Sequence, residues 1–319
     1  MFSCRICGNG ENNSSFIARE MMFGFKDEFE YGQCAECGCL QIKDIPSDIS
    51  KYYPQHYYSY GAKNEERLLK SVYMKGKQYL ERQMAKQSLG QGNLVGQLVA
   101  KKYDFPAWTE WLKLAELSMD SSILDVGCGT GDLLLEMREL GFSNLTGIDP
   151  YLDQNIHYEQ GVTIFKRSLK DLKGAYDFIM LNHSFEHMDD PLPTLKNIHR
   201  LLSVDRFALI RIPVAQCYAW ETYGVNWYQL DAPRHFFLHT EKSMEILAAQ
   251  AGFKISKVIY DSTGNQFWMS EGYVRGIPFI EQLRSPPFSK IERNKFDEKA
   301  KVLNQEGRGD QACFFLSKI

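Results

Sequence analysis

A glycine-rich turn between an apolar strand and an amphipathic helix constrains the fold of this 319-residue chain more than any other feature. Residues 123–126, Ile-Leu-Asp-Val, predict a short strand, and residues 127–131 read Gly-Cys-Gly-Thr-Gly. Apolar residues at 133–137 then predict a helix that ends at Gly141. A turn of this kind lets a ligand approach the backbone and offers N–H donors at a helix N-terminus. The segment therefore predicts a ligand site in an α/β fold.

The rest of the C-terminal two thirds repeats the alternation of strand and helix. Helices are predicted at 191–202, 241–250 (with Thr240 as its cap) and 289–304. Further strands are predicted at 145–149, 162–166, 176–181, 206–212, 253–260 and 312–317. Strands that alternate with helices predict a mostly parallel, doubly wound sheet, here of seven strands.

Two acidic residues define the chemistry of the predicted ligand. The turn has the spacing G-x-G-x-G, and Asp132 occupies the third glycine position of the dinucleotide pattern G-x-G-x-x-G. Asp125 ends the strand before the turn, where a carboxylate suits a cationic ligand better than a pyrophosphate. Asp149 ends the next strand, where an acidic side chain can accept hydrogen bonds from ribose hydroxyls. The pattern indicates a ligand with a ribose, a cationic end and no phosphate, and S-adenosylmethionine fits that description.

Five of the eight cysteines lie within the first 39 residues. Cys4 and Cys7 form one C-x-x-C-G segment, and Cys34 and Cys37 form a second. Two such pairs can place four thiolates around one ion, so residues 1–45 are interpreted as a zinc ribbon with a structural Zn²⁺. Iron is the alternative metal, and two disulfides or reduced thiols are the alternatives to a metal. Cys39 is expected to be a bystander.

Residues 123–134 and 147–150 resemble the first and second motifs of class I S-adenosylmethionine-dependent methyltransferases. Residues 185–191, Phe-Glu-His-Met-Asp-Asp-Pro, resemble the corresponding segment of the branch that methylates small molecules, of methyltransferase type 11/23. The ribbon followed by Tyr-Tyr-Pro is similar to members linked to sugar and surface-glycan pathways. The resemblance covers 120–262 closely, 1–60 moderately and 262–319 weakly. It implies a Rossmann-like α/β fold with a small N-terminal zinc ribbon and a helical connector.

The resemblance also implies the cofactor contacts. The three turn glycines match positions beside the methionine part and ribose, Asp125 matches the position near the methionine ammonium, and Asp149 matches the ribose ligand. The position that often carries an Asp contacting the adenine is Ser168 here, followed by Leu169. The implied cofactor-binding residues are Asp125, Gly127, Cys128, Gly129, Gly131, Asp149, Pro150, Ser168, Leu169, Asn182 and His183.

Two histidines are the candidate catalytic bases, because a hydroxyl acceptor needs its proton removed. His187 follows the fourth strand and His235 lies in Pro-Arg-His, residues 233–235. For both, a structural role in the loops is the competing interpretation. Residues 214–240 are expected to roof the acceptor pocket. Their aromatic side chains (Trp220, Trp227 and Tyr228) are expected either to bind a sugar face or to pack in the core, and the tyrosines at 52–60 are a candidate second wall.

The sequence divides into residues 1–62 (ribbon and Tyr-rich connector), 63–118 (helical connector) and 119–319 (methyltransferase domain with an insertion at about 263–309). Lys and Arg number 37 against 40 Asp and Glu, so no general nucleic-acid footprint is expected. No apolar run reaches the roughly 18 residues of a membrane span, and no signal peptide is visible, so a cytoplasmic location is expected.

The preferred function is methylation of a small molecule, a sugar or nucleotide-sugar. Two alternatives stay open. One is an RNA or protein methyltransferase that grips its substrate with the ribbon, and the other is a non-catalytic adaptor that binds the cofactor or a partner enzyme. The oligomeric state is not assigned.

Overall fold

The structure is a computed structural model that describes residues 2–53, 72–90, 92 and 108–319. The described helices of the predicted connector are α1 (Val72–Ser88) and α2 (Trp108–Leu114). Most of the predicted tyrosine wall, residues 54–60, lies outside the described residues.

The main sheet follows the predicted α/β pattern but has eight strands instead of seven among the described residues. The additional strand is β6 (Ile156–His157), which pairs antiparallel with β7 (Thr163–Phe165) at the sheet edge. Two residues are too few to leave a strand pattern in the sequence. The strands are β4 (Ser122–Val126), β5 (Asn144–Ile148), β6 (Ile156–His157), β7 (Thr163–Phe165), β8 (Tyr176–Asn182), β9 (Leu202–Pro213), β11 (Phe253–Tyr260) and β12 (Gln311–Lys318).

The strand order in this sheet is β11-β12-β9-β8-β4-β5-β7-β6. Neighbours from β9 to β7 are parallel, whereas β12 lies antiparallel between β9 and β11. The carboxyl ends of β4, β5 and β8 therefore lie at one edge, and α/β sheets bind ligands at that edge.

Helices connect the strands and cover the sheet. They are α3 (Asp132–Leu140), α4 (Pro191–Leu201), α5 (Tyr218–Tyr223), α6 (Glu241–Gln250), α7 (Asn265–Val274), α8 (Phe279–Arg284) and α9 (Lys290–Gln305). Thr240 caps α6 as expected, since its hydroxyl accepts from the backbone N–H of Ser243. Gly141 ends α3 in the left-handed conformation. Helices α7 to α9 occupy the predicted insertion.

The N-terminal region is a four-stranded antiparallel sheet that takes its last strand from the second half of the chain. Its order is β1 (Ser14–Arg19), β2 (Glu28–Gln33), β3 (Leu40–Ile42) and β10 (Phe237–Leu238). Phe237 pairs with Gln41, and Leu238 pairs with Leu40. Buried side chains of this sheet and of the main sheet belong to one continuous apolar core. The ribbon is thus packed onto the main sheet by both backbone pairing and apolar burial.

None of the helices described here is long and apolar enough to cross a membrane.

Candidate cofactor and acceptor site

The glycine-rich turn is shaped by close contacts on both sides. Gly127 has φ +72°, and a Cβ there would lie 2.6 Å from Cβ of Ser184. Gly131 has φ +84°, and a Cβ there would lie 2.4 Å from Cδ1 of Ile164. Both distances are shorter than real Cβ contacts, so a side chain at either position would displace its neighbour. The turn is consequently pressed against the residues that follow β8 and against β7.

Asp149 holds the turn from the neighbouring strand. Its carboxylate accepts from Gly129 N–H at 3.0 Å and from Tyr151 N–H at 2.9 Å. Gly127 N–H donates to the carbonyl of Ile148 at 2.8 Å, so the turn and the end of β5 are joined by backbone bonds as well. Asp149, which the sequence predicts to bind the ribose, therefore also fixes the shape of the turn.

Asp125 lies buried beside this turn, with only 4% of its surface exposed. Burial, together with the negative charge of Asp149, raises the pKa of Asp125 to about 7. Burial also raises the pKa of Asp149, although its two backbone N–H donors act in the opposite direction. A positive ligand beside Asp125 would relieve the repulsion between the two carboxylates.

The other implied cofactor residues surround the same edge. Cys128 is a thiol whose pKa burial raises well above its ordinary value, so it is not an activated nucleophile. Pro150 is exposed directly after Asp149, and Ser168 precedes a short 3₁₀ helix that begins at Leu169. Asp149 N–H donates to the carbonyl of Phe165, which keeps the segment after β7 next to β5.

Asn182 is the last residue of β8, and His183 follows it. The Asn182 side chain accepts from Arg211 at 2.9 Å, and Arg211 also pairs with Asp261 at 2.7 Å. His183 has φ +52°, a left-handed conformation that is uncommon for a residue with a side chain. Ser184, next in the chain, donates to the carbonyl of Val126 at 2.7 Å and so joins this segment to the strand of the glycine-rich turn.

The two candidate bases, His187 and His235, lie together. Their ring centroids are 4.7 Å apart and the rings meet edge to face. His187 Nδ1 lies 2.8 Å from the carbonyl of Arg234, and His235 Nδ1 lies 2.7 Å from the carbonyl of Gln229. A carbonyl oxygen only accepts, so both Nδ1 atoms carry the hydrogen and both Nε2 atoms are left with a lone pair or a second proton.

Glu186 lies between these histidines and is fully buried. Its Oε1 is 3.3 Å from His183 Nδ1 and 3.9 Å from His235 Nε2. Burial opposes its ionisation, but the neighbouring histidines outweigh burial and hold the pKa of Glu186 below its usual range. Burial, with the neighbouring His235, lowers the pKa of His187 to about 4, so His187 is neutral at physiological pH.

His183, His187 and His235 line a cavity of about 90 Å³, whereas Glu186 is not among its lining residues. Tyr228, Gln229 and Asp231, from the 214–240 segment that is expected to roof an acceptor pocket, line the same cavity. Its walls also include residues that the sequence did not single out, from the N-terminal region and from α7 and α8. The lining residues are Met22, His183, His187, Tyr228, Gln229, Asp231, His235, Tyr273 and Phe279.

Of the two expectations for Trp227, the structure shows core packing and not an exposed face for a sugar. Trp227 has no exposed surface, and its Nε1–H donates to Asp310 at 3.0 Å. Trp220 packs against Trp227 and edge to face against Phe16 of β1. Of the three aromatic residues proposed for an acceptor, only Tyr228 lines the cavity. Trp220 instead packs against the N-terminal sheet and Trp227 against Trp220, which the sequence pattern of a loop could not distinguish.

Arg234 and its partners form a buried ion network that sequence analysis missed. Its guanidinium contacts Glu20 at 3.1 Å and also pairs with Asp231. Asp231 and Arg234 both lie in residues 228–235, which we call the cavity loop. Arg234 and Glu20 have no exposed side-chain surface. The network joins the segment after β1 to the loop that carries His235. A lone Arg and a lone Glu 214 positions apart give no signal in one sequence.

Four of the five N-terminal cysteines converge, as the spacing predicts. The sulfurs of Cys4 and Cys37 are 3.6 Å apart, and those of Cys7 and Cys34 are 3.5 Å apart. All four lie within 4.8 Å of one another, and none is in a disulfide. A tetrahedral ion with bonds of about 2.3 Å has sulfur–sulfur edges of about 3.8 Å, so the donor set fits such an ion. Cys39 is buried outside this group.

This combination of a doubly wound sheet, a G-x-G-x-G turn and two paired acids defines a class I methyltransferase fold. Residues 100–258, about half of the chain, match the model of the family described as methyltransferase domain. The chain carries an S-adenosylmethionine-dependent methyltransferase domain of this family.

Curated relatives match a shorter part of the chain. Human EEF1A lysine methyltransferase 2 is 30% identical over an alignment of 120 residues, and the match covers 31% of this chain and 50% of that protein. The ubiquinone biosynthesis O-methyltransferase of Pseudomonas aeruginosa (strain UCBPP-PA14) is 29% identical over 108 residues, 30% of this chain and 46% of that protein. The chain therefore spans about half the length of the curated relatives it matches.

Solved structures with a similar fold include a SAM dependent methyltransferase from Archaeoglobus fulgidus. It is 17% identical, with a TM-score of 0.42, over 78% of this chain and all of that one. Magnesium protoporphyrin IX methyltransferase from Synechocystis PCC 6803 is 16% identical, with a TM-score of 0.41, over 67% of this chain and 90% of that one.

Proposed function

We propose that the chain transfers the methyl group of S-adenosylmethionine to a hydroxyl of a small acceptor, with a sugar or nucleotide-sugar preferred. The observation that carries this proposal is a small polar cavity, lined by two histidines, at the edge of the sheet where the cofactor turn lies. Its residues reach that turn through Ser184, which bonds to the strand before it. The cofactor supplies the electrophilic methyl group, and the protein has to hold the acceptor in line with it.

The size and chemistry of the cavity support a hydroxyl at the reacting end. About 90 Å³ encloses a few heavy atoms and not a whole nucleotide-sugar, so the remainder of the acceptor would extend outside it. Tyr228, Gln229 and the histidines offer polar groups, while Met22 and Phe279 offer apolar surface. A sugar ring presents both kinds of surface.

His187 and His235 are proposed to assist removal of the hydroxyl proton. His235 is the better placed of the two, because its Nε2 lies 3.7 Å from Asp231 and 3.9 Å from Glu186, and both carboxylates would stabilise the imidazolium formed. The lowered pKa of His187 makes it a weak base.

The first test compares His187→Gln with His235→Gln, each after a separate measurement of cofactor affinity. Loss of a general base lowers turnover at saturating substrate by about 10²–10⁴-fold, and we expect the larger loss in the His235 variant. Exposed His157 provides the control, since His157→Gln leaves the cavity unchanged. Full turnover in both cavity variants, with cofactor binding intact, would contradict the assignment and favour an amine acceptor.

The acceptor class is tested with radiolabelled cofactor and three substrate pools: nucleotide-sugars, total RNA and soluble protein. Label in the nucleotide-sugar pool supports the proposal. The names of the two curated relatives refer to a lysine of EEF1A and to ubiquinone biosynthesis. Label in protein would therefore favour a function like that of the first relative. Tight cofactor binding without label in any pool would support the adaptor alternative.

The four thiolates at Cys4, Cys7, Cys34 and Cys37 are proposed to hold a structural Zn²⁺. The sulfur separations fit a four-coordinate ion, and a fully occupied tetrahedron leaves no position for a reacting water. Elemental analysis of freshly reduced protein should find zinc at this site. Iron in its place would give a coloured protein and change only the metal assignment.

A further inference from the structure

We propose that Glu186, His187 and His235 bind a divalent transition-metal ion in the acceptor cavity, as a second metal site separate from the four cysteines. The three side chains come from the segment after β8 and from the cavity loop, and their ligand atoms all lie within 4.8 Å of one another. Two imidazoles and one carboxylate are a donor set that Zn²⁺, Fe²⁺ and Mn²⁺ accept, with further positions left open.

The hydrogen bonds of the two histidines prepare them as ligands. In each ring the Nδ1–H donates to a backbone carbonyl, that of Arg234 for His187 and that of Gln229 for His235. This leaves the Nε2 lone pairs of both rings to bind an ion. Metal-binding histidines in proteins are commonly fixed in this way, by a carbonyl or carboxylate on the other ring nitrogen.

The carboxylate of Glu186 is the second, independent observation. It is fully buried, and the one polar group beside it is His183, whose Nδ1 lies 3.3 Å from Oε1, so Oε2 has no hydrogen-bond partner among the residues that the structure describes. A buried polar group without a partner costs free energy, and a buried charge costs more. Asp231, the other acid near His235, is already paired with Arg234. Glu186 is therefore the acid left for a cation.

Charge balance points the same way. Glu20, Glu186 and Asp231 place three carboxylates in and around the cavity, at most one-tenth exposed, and Arg234 is the single guanidinium among them. With neutral histidines, two negative charges stay uncompensated. A divalent cation would balance both, whereas protonated histidines are the alternative that the experiment below tests.

The metal site extends the proposed function. The role of the ion in methyl transfer rests on that proposed function, whereas the binding of the ion does not. A cation there would bind the acceptor hydroxyl and lower the pKa of that hydroxyl. In the ion-loaded chain the two histidines would act through the ion, and the role of free base proposed above applies to the chain without the ion. The binding itself is independent of methyl transfer. A chain that binds the ion but transfers no methyl group would refute the function and leave the site intact.

The test uses zinc content of the full-length chain after loading with Zn²⁺ and desalting. We expect two zinc ions per chain in the wild type and one in Glu186→Gln and in His187→Gln. His157→Gln is the matched control and should keep both. If the wild type holds only one zinc ion, or if zinc content is unchanged in both cavity variants, the proposal is wrong.

A second measurement uses the wild-type protein first, so its deciding result does not depend on whether a variant folds. Mn²⁺ prefers nitrogen and oxygen ligands to thiolates, so it should bind the cavity of the wild-type protein while the ribbon keeps its zinc. The paramagnetic resonance signal of free Mn²⁺ reports binding. We expect one saturable site in the wild type and affinity at least about tenfold weaker in His187→Gln, the range that lost metal-site contacts typically cost. Absence of saturable Mn²⁺ binding to the wild type would overturn the proposal for this ion class.

Discussion

At the scale of single residues, the cofactor side of the site depends on two buried carboxylates with different tasks. Asp149 accepts two backbone N–H bonds, so it positions the glycine-rich turn before any ligand arrives. Asp125 lies on the adjacent strand, and burial and the charge of Asp149 raise its pKa to about 7. One residue therefore supplies geometry, and the other supplies a charge that depends on pH.

The first prediction concerns Asp149. In Asp149→Ala the ribose loses its paired acceptors, and two charge-assisted hydrogen bonds at about 1.5–3 kcal/mol each predict a loss of cofactor affinity of tenfold or more. Exposed Asp153, four residues later, gives the control Asp153→Ala, which should bind normally. Titration calorimetry of S-adenosylmethionine and its demethylated product measures both. Equal affinity in the two variants would contradict the cofactor assignment.

The second prediction is a pH dependence of cofactor binding set by Asp125. The cationic cofactor needs the ionised carboxylate, so affinity should fall as pH drops below about 7, by at most tenfold per pH unit, and level off above it. In the ligand-free protein the sign is opposite. The stability that the protonated carboxyl contributes is complete below the ordinary pKa of 3.8 and is lost as pH rises to about 7.

Calorimetry between pH 5 and about 7.5 checks this dependence, since the amino group of the cofactor itself begins to lose its proton near pH 8. Asp125→Asn removes the titrating group. The variant should bind more weakly at neutral pH and show no slope below it. A slope that survives in Asp125→Asn would assign the titration to another residue.

At the scale of elements, the loop after β1 and the cavity loop are joined by Arg234. The segment that follows β1 contributes Glu20 to Arg234 and Met22 to the cavity wall. Phe279, at the start of α8, donates its backbone N–H to the carbonyl of Met21. Three separate parts of the chain are thereby fixed around the acceptor space.

The third prediction tests this junction by stability. Arg234→Met leaves Glu20 and Asp231 buried without their partner, and breaking a buried pair costs about 3–5 kcal/mol. Arg19→Met removes a comparable pair with Glu28 at 3.0 Å, but both side chains are more than half exposed. An exposed pair contributes about 0–1 kcal/mol. Urea unfolding measures both variants, and similar losses would show that burial of the Arg234 network does not matter.

At the scale of the whole molecule, the N-terminal sheet contacts the loop that carries the proposed acceptor cavity. β10 pairs with β3, Phe237 with Gln41, and Tyr31 of β2 donates its hydroxyl hydrogen to the carbonyl of His235 at 2.8 Å. The glycine-rich turn, by contrast, is held by β4, β5 and the segment after β8. The ribbon supports the acceptor half of the site, and the main sheet supports the cofactor half.

The fourth prediction follows from that division. Cys34→Ser removes one ligand of the proposed ribbon ion, and small metal-bound units unfold without their ion. We expect turnover to be lost while cofactor affinity stays unchanged. Cys313→Ser is the control, because Cys313 is a buried free thiol of β12 in an apolar cluster separate from that of the ribbon cysteines. Turnover at the wild-type level in the Cys34 variant would contradict the role of the ribbon in the acceptor site.

Much of the cofactor half follows from local sequence. The turn at 127–131 needs glycines where the backbone is left-handed or pressed against a neighbour, and Asp125 and Asp149 end adjacent strands. Such constraints act over a few residues and leave a pattern that can be read in one chain. The cysteine pairs are equally readable, since the geometry of a tetrahedral ion fixes their spacing.

The acceptor half was decided by tertiary structure. His187 and His235 were foreseen as candidates, but Glu20, Met22, Arg234 and Phe279 were not. Their contacts join segments that lie far apart in the sequence, and Glu20 and Arg234 are 214 positions apart. No local period or spacing in the sequence indicates which segments meet. For Trp227 the choice between sugar binding and core packing stayed open for the same reason, because burial depends on what packs over a loop. The sequence by itself determined the strand-turn-helix that binds the cofactor and the four-thiolate group, and only the packing of the ribbon onto the main sheet determined the acceptor cavity.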